Sequence, residues 1–292
     1  MDAPSSIRLF FLAAIWGASF LFMRVSVPAF GPVALIMCRV VIAAAFLWLV
    51  SRLLKERLDM RRHWRYFLTL GVLNSALPFV LFAYAAQSLP ASLLSILNAT
   101  SPLFGVAIGA LWLRIPLTPS IALGLACGLA GVTLLVGQNA ALAGDGAWLA
   151  LAAGLLAPAS YSLASLYTRA RPGLATPFNN AHGSMWMASL ALLPVFLLAP
   201  VRQSPDAGDW VAVSLLGVVC TGAAYLLYFR LIDDVGPTRA LSVTFLIPVF
   251  GVLWGVLFLD ESVGWHTLFG GALVLAGIAM TTGLLRLPGS RH

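Results

Sequence analysis

Apolar stretches long enough to cross a lipid bilayer follow one another along the whole chain, and no other feature limits the fold as much. They are read near residues 7–27, 32–53, 65–87, 91–113 and 119–137, then near 146–168, 177–199, 209–231, 237–259 and 265–285. A transmembrane helix needs roughly 20 mainly apolar residues. Composition agrees, with 61% hydrophobic and only 9% charged residues, where a soluble domain carries about 25% charged. So few charges cannot cover a surface facing water. The expected fold class is all-α integral membrane, with ten transmembrane helices.

Turn-forming residues punctuate the runs: Phe30-Gly31-Pro32, Leu89-Pro90, Leu117-Thr118-Pro119, Gly144-Asp145-Gly146 and Val235-Gly236-Pro237. No linker is long enough to hold a soluble domain. The run starting near Ile7 is read as a first helix, because no small-residue cleavage site follows it. Cys38, Cys127 and Cys220 all fall within apolar runs, which argues against a disulfide framework. The net charge of +7 would suggest nucleic acid in a soluble protein; here it marks cytoplasmic loops rich in Lys and Arg, and no nucleic-acid partner is expected.

Those loops give an orientation. With the N-terminus in the cytoplasm, Arg52, Lys55, Arg57, Arg61, Arg62 and Arg65 share one inner loop. Arg8, Arg114, Arg169, Arg171, Arg230, Arg239, Arg286 and Arg291 fall on the same side, Arg202 falls outside, and Arg24 and Arg39 lie within helices. Asp145, Asp206, Asp209, Asp260 and Glu261 mark the outer side. The expectation is a multi-pass protein of the inner (plasma) membrane with both termini cytoplasmic.

The chain also repeats itself. Residues 67–137 align with 213–283 at a constant offset of 146 without a gap, pairing Gly71/Gly217, Pro102/Pro248, Phe104/Phe250, Gly105/Gly251, Gly109/Gly255, Gly124/Gly270 and Gly131/Gly277. Two units follow, 1–138 and 139–292. Each holds five spans, an odd number, so the second is expected upside down relative to the first. Inverted repeats with a site near the midplane at their junction are a common transporter architecture.

The opening Ile15-Trp16-Gly17-Ala18-Ser19-Phe20, then Arg24, then Arg39 in an Ala-rich second helix, precede the Pro-x-Phe-Gly of the fourth and ninth spans. In these features the chain resembles the EamA branch of the drug/metabolite transporter (DMT) superfamily along essentially its whole length. The resemblance implies export of small metabolites, amino acids in the best-known branches, with aromatic amino-acid exporters of the YddG kind among them. One departure stands out. The family often ends its fourth span with Gly-Glu, whereas this chain reads Leu113-Arg114-Ile115-Pro116 and keeps an acidic pair only as Asp260-Glu261 after the ninth.

Candidate substrate contacts come from matched faces. Thr221, Tyr225 and Tyr228 recur at helical spacing, and their repeat mates are Ser75, Phe79 and Phe82. Aromatic walls with a few polar groups suit a ligand pocket; an interfacial aromatic belt is the plainer alternative. Asn98 and its mate Thr244 stand four residues before Pro102 and Pro248, which are expected to kink or break their helices. Asn74 and Tyr84 on the third span join the set. So do Trp16 and Ser19 on the first and Tyr161 on the sixth, where Trp16, Ser19 and Phe20 correspond to Ala157, Ser160 and Tyr161. His182 could titrate near neutral pH, although a lone helix histidine is more often a packing residue. Arg39 costs roughly 2.5–3.5 kcal/mol if unpaired at the bilayer centre, so it must reach the interface, face a wet cavity or bind carbonyls; a substrate carboxylate is a further partner for it or for Arg24.

No enzyme motif is present: there is no Walker loop, HExxH, CxxC or pair of intramembrane carboxylates. No cofactor or metal is expected. The sequence points to a transporter working by alternating access, with a passive channel as runner-up and a membrane-embedded hydrolase as a remote third. The expected partners are a small-molecule substrate and the lipid bilayer, in a monomer or homodimer.

Overall fold

The computed structural model describes residues 2–112, 118–142, 147–199 and 203–285. The departure at 113–116, the turn at 144–146 and the charges Arg114, Asp145, Arg202, Arg286 and Arg291 lie outside the described residues. The described chain is helical, without strands. Eight helices are long and apolar enough to span a membrane: α1 (Ala3–Phe30), α2 (Pro32–Leu54), α3 (Met60–Ala85), α4 (Ala91–Leu111), α5 (Pro119–Leu142), α6 (Ala147–Arg169), α7 (Pro177–Leu198) and α8 (Ala207–Val235). Two shorter apolar helices complete the set, α9 (Val243–Leu259) and α10 (Trp265–Thr281). The expected ninth span from 237 is divided, a short turn Pro237–Ala240 preceding α9.

Local chemistry sets the ends. The Asp2 carboxylate accepts from the Ser5 amide and starts α1. Gly31, at φ 73°, turns the chain, and Pro32 opens α2. Asp206 and Asp209 form a reciprocal capping box at α8.

Packing exchanges partners between the halves. α1 lies on α8 and α9 as α6 lies on α3 and α4, and α2 lies on α8 as α7 lies on α3. The pairs α2–α7, α4–α9 and α5–α10 join corresponding helices of the two units. Glycines allow the closest approaches. Gly71 packs on the backbone of Ser184 and Ala188 in α7, and its mate Gly217 packs on Ile42 and the Arg39 carbonyl in α2. In the last pair Gly124 faces Gly277 and Gly131 faces Gly270, so α5 and α10 run antiparallel.

Two irregularities matter for the site. α3 and α8 each contain a π-helical turn, at Val72–Ala76 and Val218–Ala223, and these turns begin 146 residues apart, on the repeat register. π-turns leave carbonyls without a standard partner and are common at functional positions. Here Leu73 O accepts from Ser160 Oγ at 2.7 Å and Leu216 O accepts from Thr221 Oγ1 at 2.8 Å. α4 breaks at Thr100, because Pro102 has no amide to offer the Asn98 carbonyl; Ser101 Oγ donates to it instead, at 3.1 Å. Pro248, by contrast, sits inside an unbroken α9, and the interruption falls earlier, at residues 241–242.

The acidic pair after α9 has a structural role. Glu261 accepts from the amides of Ala91 (2.6 Å) and Ser92 (3.0 Å), so its carboxylate caps α4 from the other half of the chain. An anion at a helix N-terminus satisfies free N–H groups and complements the helix dipole. Asp260 ends α9 in the left-handed region at φ 51°. Glu261→Ala is therefore expected to lower stability by about 1–2 kcal/mol, while Asp260→Gly relieves a strained backbone and leaves stability unchanged or higher. Thermal unfolding in detergent separates the two; equal losses would contradict the capping role.

Candidate functional site

One π-turn and the helix just beyond the other meet at one arginine. Arg39 of α2 is only 4% exposed. Its Nε donates to Thr221 Oγ1 at 2.9 Å, its Nη1 lies 3.8 Å from Met23 Sδ, and its guanidinium carbon stands 3.7 Å from the centre of the Phe79 ring. Helices α1, α2, α3 and α8 thus converge on one side chain. Because Thr221 donates its own proton to Leu216 O, its oxygen faces Arg39 as a pure acceptor. Tyr161, Tyr225 and Cys220 lie within electrostatic reach of the guanidinium.

Around this centre the polar and aromatic groups interlock. Asn74 Nδ2 in one π-turn donates to the Tyr225 hydroxyl beyond the other at 3.1 Å. Tyr161 lies 6.4 Å from both Phe79 and Phe82, ring centre to ring centre, and Phe82 meets Phe20 edge-on at 5.4 Å. Tyr225 stacks on Phe229 at 5.8 Å, and Trp16 packs on Tyr228 at 5.3 Å. The hydroxyl of Ser75 is buried and unpartnered, and that of Ser19 lies beside the Cys220 thiol. Side chains from both units therefore form one polar–aromatic cluster. Surface grooves lie elsewhere, along α5 at Leu129, Thr133 and Gly137, and at the ends of α3 and α6 between Arg62, Tyr66, Tyr167 and Arg171.

Of the residues singled out in the sequence, Asn74, Phe79, Tyr161, Thr221 and Tyr225 come together in this cluster, and Trp16 joins through Tyr228. Ser19 is buried on α1. The others stand apart. Tyr84 is 40% exposed, on an outward stripe with Leu77. Asn98 sits at the α4 break, and Thr244 donates to Leu241 O at 2.8 Å in the first turn of α9. His182 is buried in α7, where Nε2 accepts from the Trp186 indole at 3.1 Å beside Phe178. Sequence reasoning underrated Arg39 and passed over Met23 and Phe229. The signal for Arg39 was its position, a charge well inside a span. Among the described residues no three His, Cys, Asp or Glu side chains converge as a metal site would require.

Known proteins place this architecture. A solved crystal structure superposes with a TM-score of 0.67 at 19% identity, over 97% of this chain and 98% of that one, a likeness of fold alone. The sequence is 27% identical over 289 residues to the uncharacterized inner membrane transporter YedA of Escherichia coli (strain K12), covering 96% of this chain and 91% of that protein. It is 26% identical over 288 residues to the uncharacterized transporter YvbV of Bacillus subtilis (strain 168), covering 94% and 90%. Protein PecM of Dickeya dadantii (strain 3937) is 23% identical over 270 residues, covering 92% and 89%. The EamA-like transporter family matches twice, at residues 5–137 and 148–283. With nearly the whole chain matched in two tandem units, the protein belongs to the EamA-like transporter family: it is a multi-pass membrane transporter and not an enzyme.

Proposed function

We propose that the protein exports amino acids, aromatic or other apolar ones in preference, by alternating access at a site between two inverted repeats, residues 1–138 and 139–292. The observation that carries this reading is the polar–aromatic cluster built by α1, α2, α3, α6 and α8 around paired π-turns. It offers apolar walls with a few convergent polar groups, as a small-molecule site needs, and it draws on both halves, so relative movement of the halves would remake it.

Inversion is supported by the antiparallel pairing of Gly124 with Gly277 and Gly131 with Gly270. A two-fold axis relating antiparallel neighbours lies across them, parallel to the membrane plane. Several contacts join loops assigned to the same side by charge. Arg8 pairs with Asp234 at the proposed cytoplasmic end, where Asn179 also reaches the Arg57 carbonyl. At the other end the Gln203 amide donates to Ala29 O. The packed cluster is then a closed state of the carrier, with both termini cytoplasmic and the protein in the inner membrane.

Purified protein in liposomes, given a mixed pool of labelled amino acids, is expected to move phenylalanine, tyrosine, leucine or their like in a saturable way with mutual competition. If none of the amino acids moves, the substrate reading is wrong. Flux without saturation would favour a channel over a carrier.

A further inference from the structure

Arg39 carries five N–H donors, and one oxygen, Thr221 Oγ1, receives one of them. The remaining contacts are a thioether and an aromatic face, both weak acceptors. Among the described residues the ion pairs are those of Arg8 and Arg230, which share Asp234 at a helix end. The sequence offers no other counter-ion, since all ten acidic residues fall in loops or near helix ends. A guanidinium 96% buried within the membrane with no anion is costly to hold, whereas an arginine serving only as a strut would be expected to spend its donors on backbone carbonyls. Arg24 does that: its guanidinium donates to the Ala86 carbonyl at the end of α3. Arg39 does not.

We propose that Arg39 is the anion-binding residue of the substrate site, and that the transported molecules are carboxylates with an apolar or aromatic body. This rests on the transport reading above and narrows it. The hydrogen bond from Nε to Thr221 and the Phe79 ring fix the guanidinium plane and leave its terminal nitrogens to take a carboxylate, the geometry for which a planar fork is suited and an ammonium is not. Tyr161 and Tyr225 stand beside the same centre and would line the body of the substrate. The π-turn at Val218–Ala223 thereby acquires a purpose, because it turns the Thr221 hydroxyl to orient Arg39. Cations lacking an acidic group are excluded by like charge.

The test measures competition against labelled phenylalanine in proteoliposomes, and thermal stabilisation of detergent-purified protein, for four probes: phenylalanine, 3-phenylpropionate, phenylalaninamide and phenethylamine. The two carboxylates are expected to bind and the two probes without one to fail. Arg39→Gln is expected to weaken carboxylate binding on the order of 30-fold or more, as loss of a buried charged partner does, and to abolish the preference for phenylalanine over its amide. Thr221→Ala, which keeps the charge but frees its orientation, should reduce that preference and lower the melting temperature while still folding, since it removes two buried hydrogen bonds, and it serves if Arg39→Gln does not fold. An unchanged preference in the variants, or an equal loss for acid and amide, overturns the proposal and leaves the transport reading standing. Conversely, 3-phenylpropionate moving in an Arg39-dependent way while no amino acid moves would sink the amino-acid reading and keep this one. Tight binding of phenethylamine to the wild-type protein would overturn it directly.

Discussion

Gly277→Leu is expected to prevent stable folding, while Gly137→Leu one helix away changes nothing. A Cβ on Gly277 would stand 2.5 Å from the carbonyl oxygen of Gly124 and 2.7 Å from the amide nitrogen of Gly128. Its counterpart Gly131 would meet the Gly270 oxygen at 2.6 Å and the Val274 nitrogen at 2.8 Å. These are backbone atoms of the facing helix, so relief requires moving α5 from α10 along the most extensive helix contact among the described residues. Overpacking costs about 1–3 kcal/mol when side chains can adjust; here the helices must separate, and the expected cost exceeds about 3 kcal/mol. Lipid gives helices no hydrophobic reason to associate, so close backbone contact between small residues carries the pairing. A Cβ at Gly137 has no neighbour within 4 Å. Size-exclusion profiles and melting temperatures in detergent should separate the two variants clearly. A Gly277→Leu protein that is monodisperse and melts like wild type would mean that α5 and α10 are not in contact in the folded protein. The same glycines bear on the small-residue stripe of α10: Gly270 and Gly277 are used within the chain against α5, and Gly271 against Ile96 of α4.

Long apolar runs were easy to read because a bilayer imposes one length and one composition on every span. Most boundaries agree within a few residues, and the exceptions are informative. α1 begins at Ala3 because Asp2 caps it, and α3 begins at Met60 because Asp59 does; both polar first turns lie outside a hydropathy pattern. The repeat register was legible from Gly71/Gly217 and Gly124/Gly270, and the structure gives each pair corresponding contacts. The Ser75–Phe79–Phe82 and Thr221–Tyr225–Tyr228 faces were likewise legible, since aromatic side chains at helical spacing announce a shared surface. The π-turns were not. One extra residue per turn rotates the chain by roughly 100°, and no residue type encodes that at Val72–Ala76 or Val218–Ala223. Tyr84 is a separate case: it lies two residues past Phe82, roughly 200° around the same regular helix, and so shares the outward stripe of Leu77. Glu261 shows a second limit. Its partner is the start of α4, 170 residues away in sequence, and a cap supplied by a distant segment leaves no local signature.

Transport is expected to run downhill and to ignore a proton gradient. A proton-driven carrier needs a group that takes a proton on one side and releases it on the other, usually a carboxylate or histidine within the membrane. The groups nearest to that role are engaged, although His182 Nδ1 is buried without a partner. Glu261 holds the amides of Ala91 and Ser92, Asp234 holds Arg8 and Arg230, and the Nε2 lone pair of His182 is taken by the Trp186 indole. Protonating His182 at Nε2 would break that bond and leave a buried charge beside Phe178 and Trp186. A gradient of one pH unit is worth about 1.4 kcal/mol per proton, enough for about tenfold accumulation at one-to-one coupling. Proteoliposomes preloaded with substrate should therefore equilibrate to equal concentrations with or without that gradient, and an uncoupler should have no effect on the initial rate. Accumulation near tenfold that collapses with the uncoupler would overturn the facilitator reading. If His182→Ala then lost the uphill flux but kept exchange, His182 would be the coupling residue, and its bond to Trp186 would be a contact that opens during the cycle.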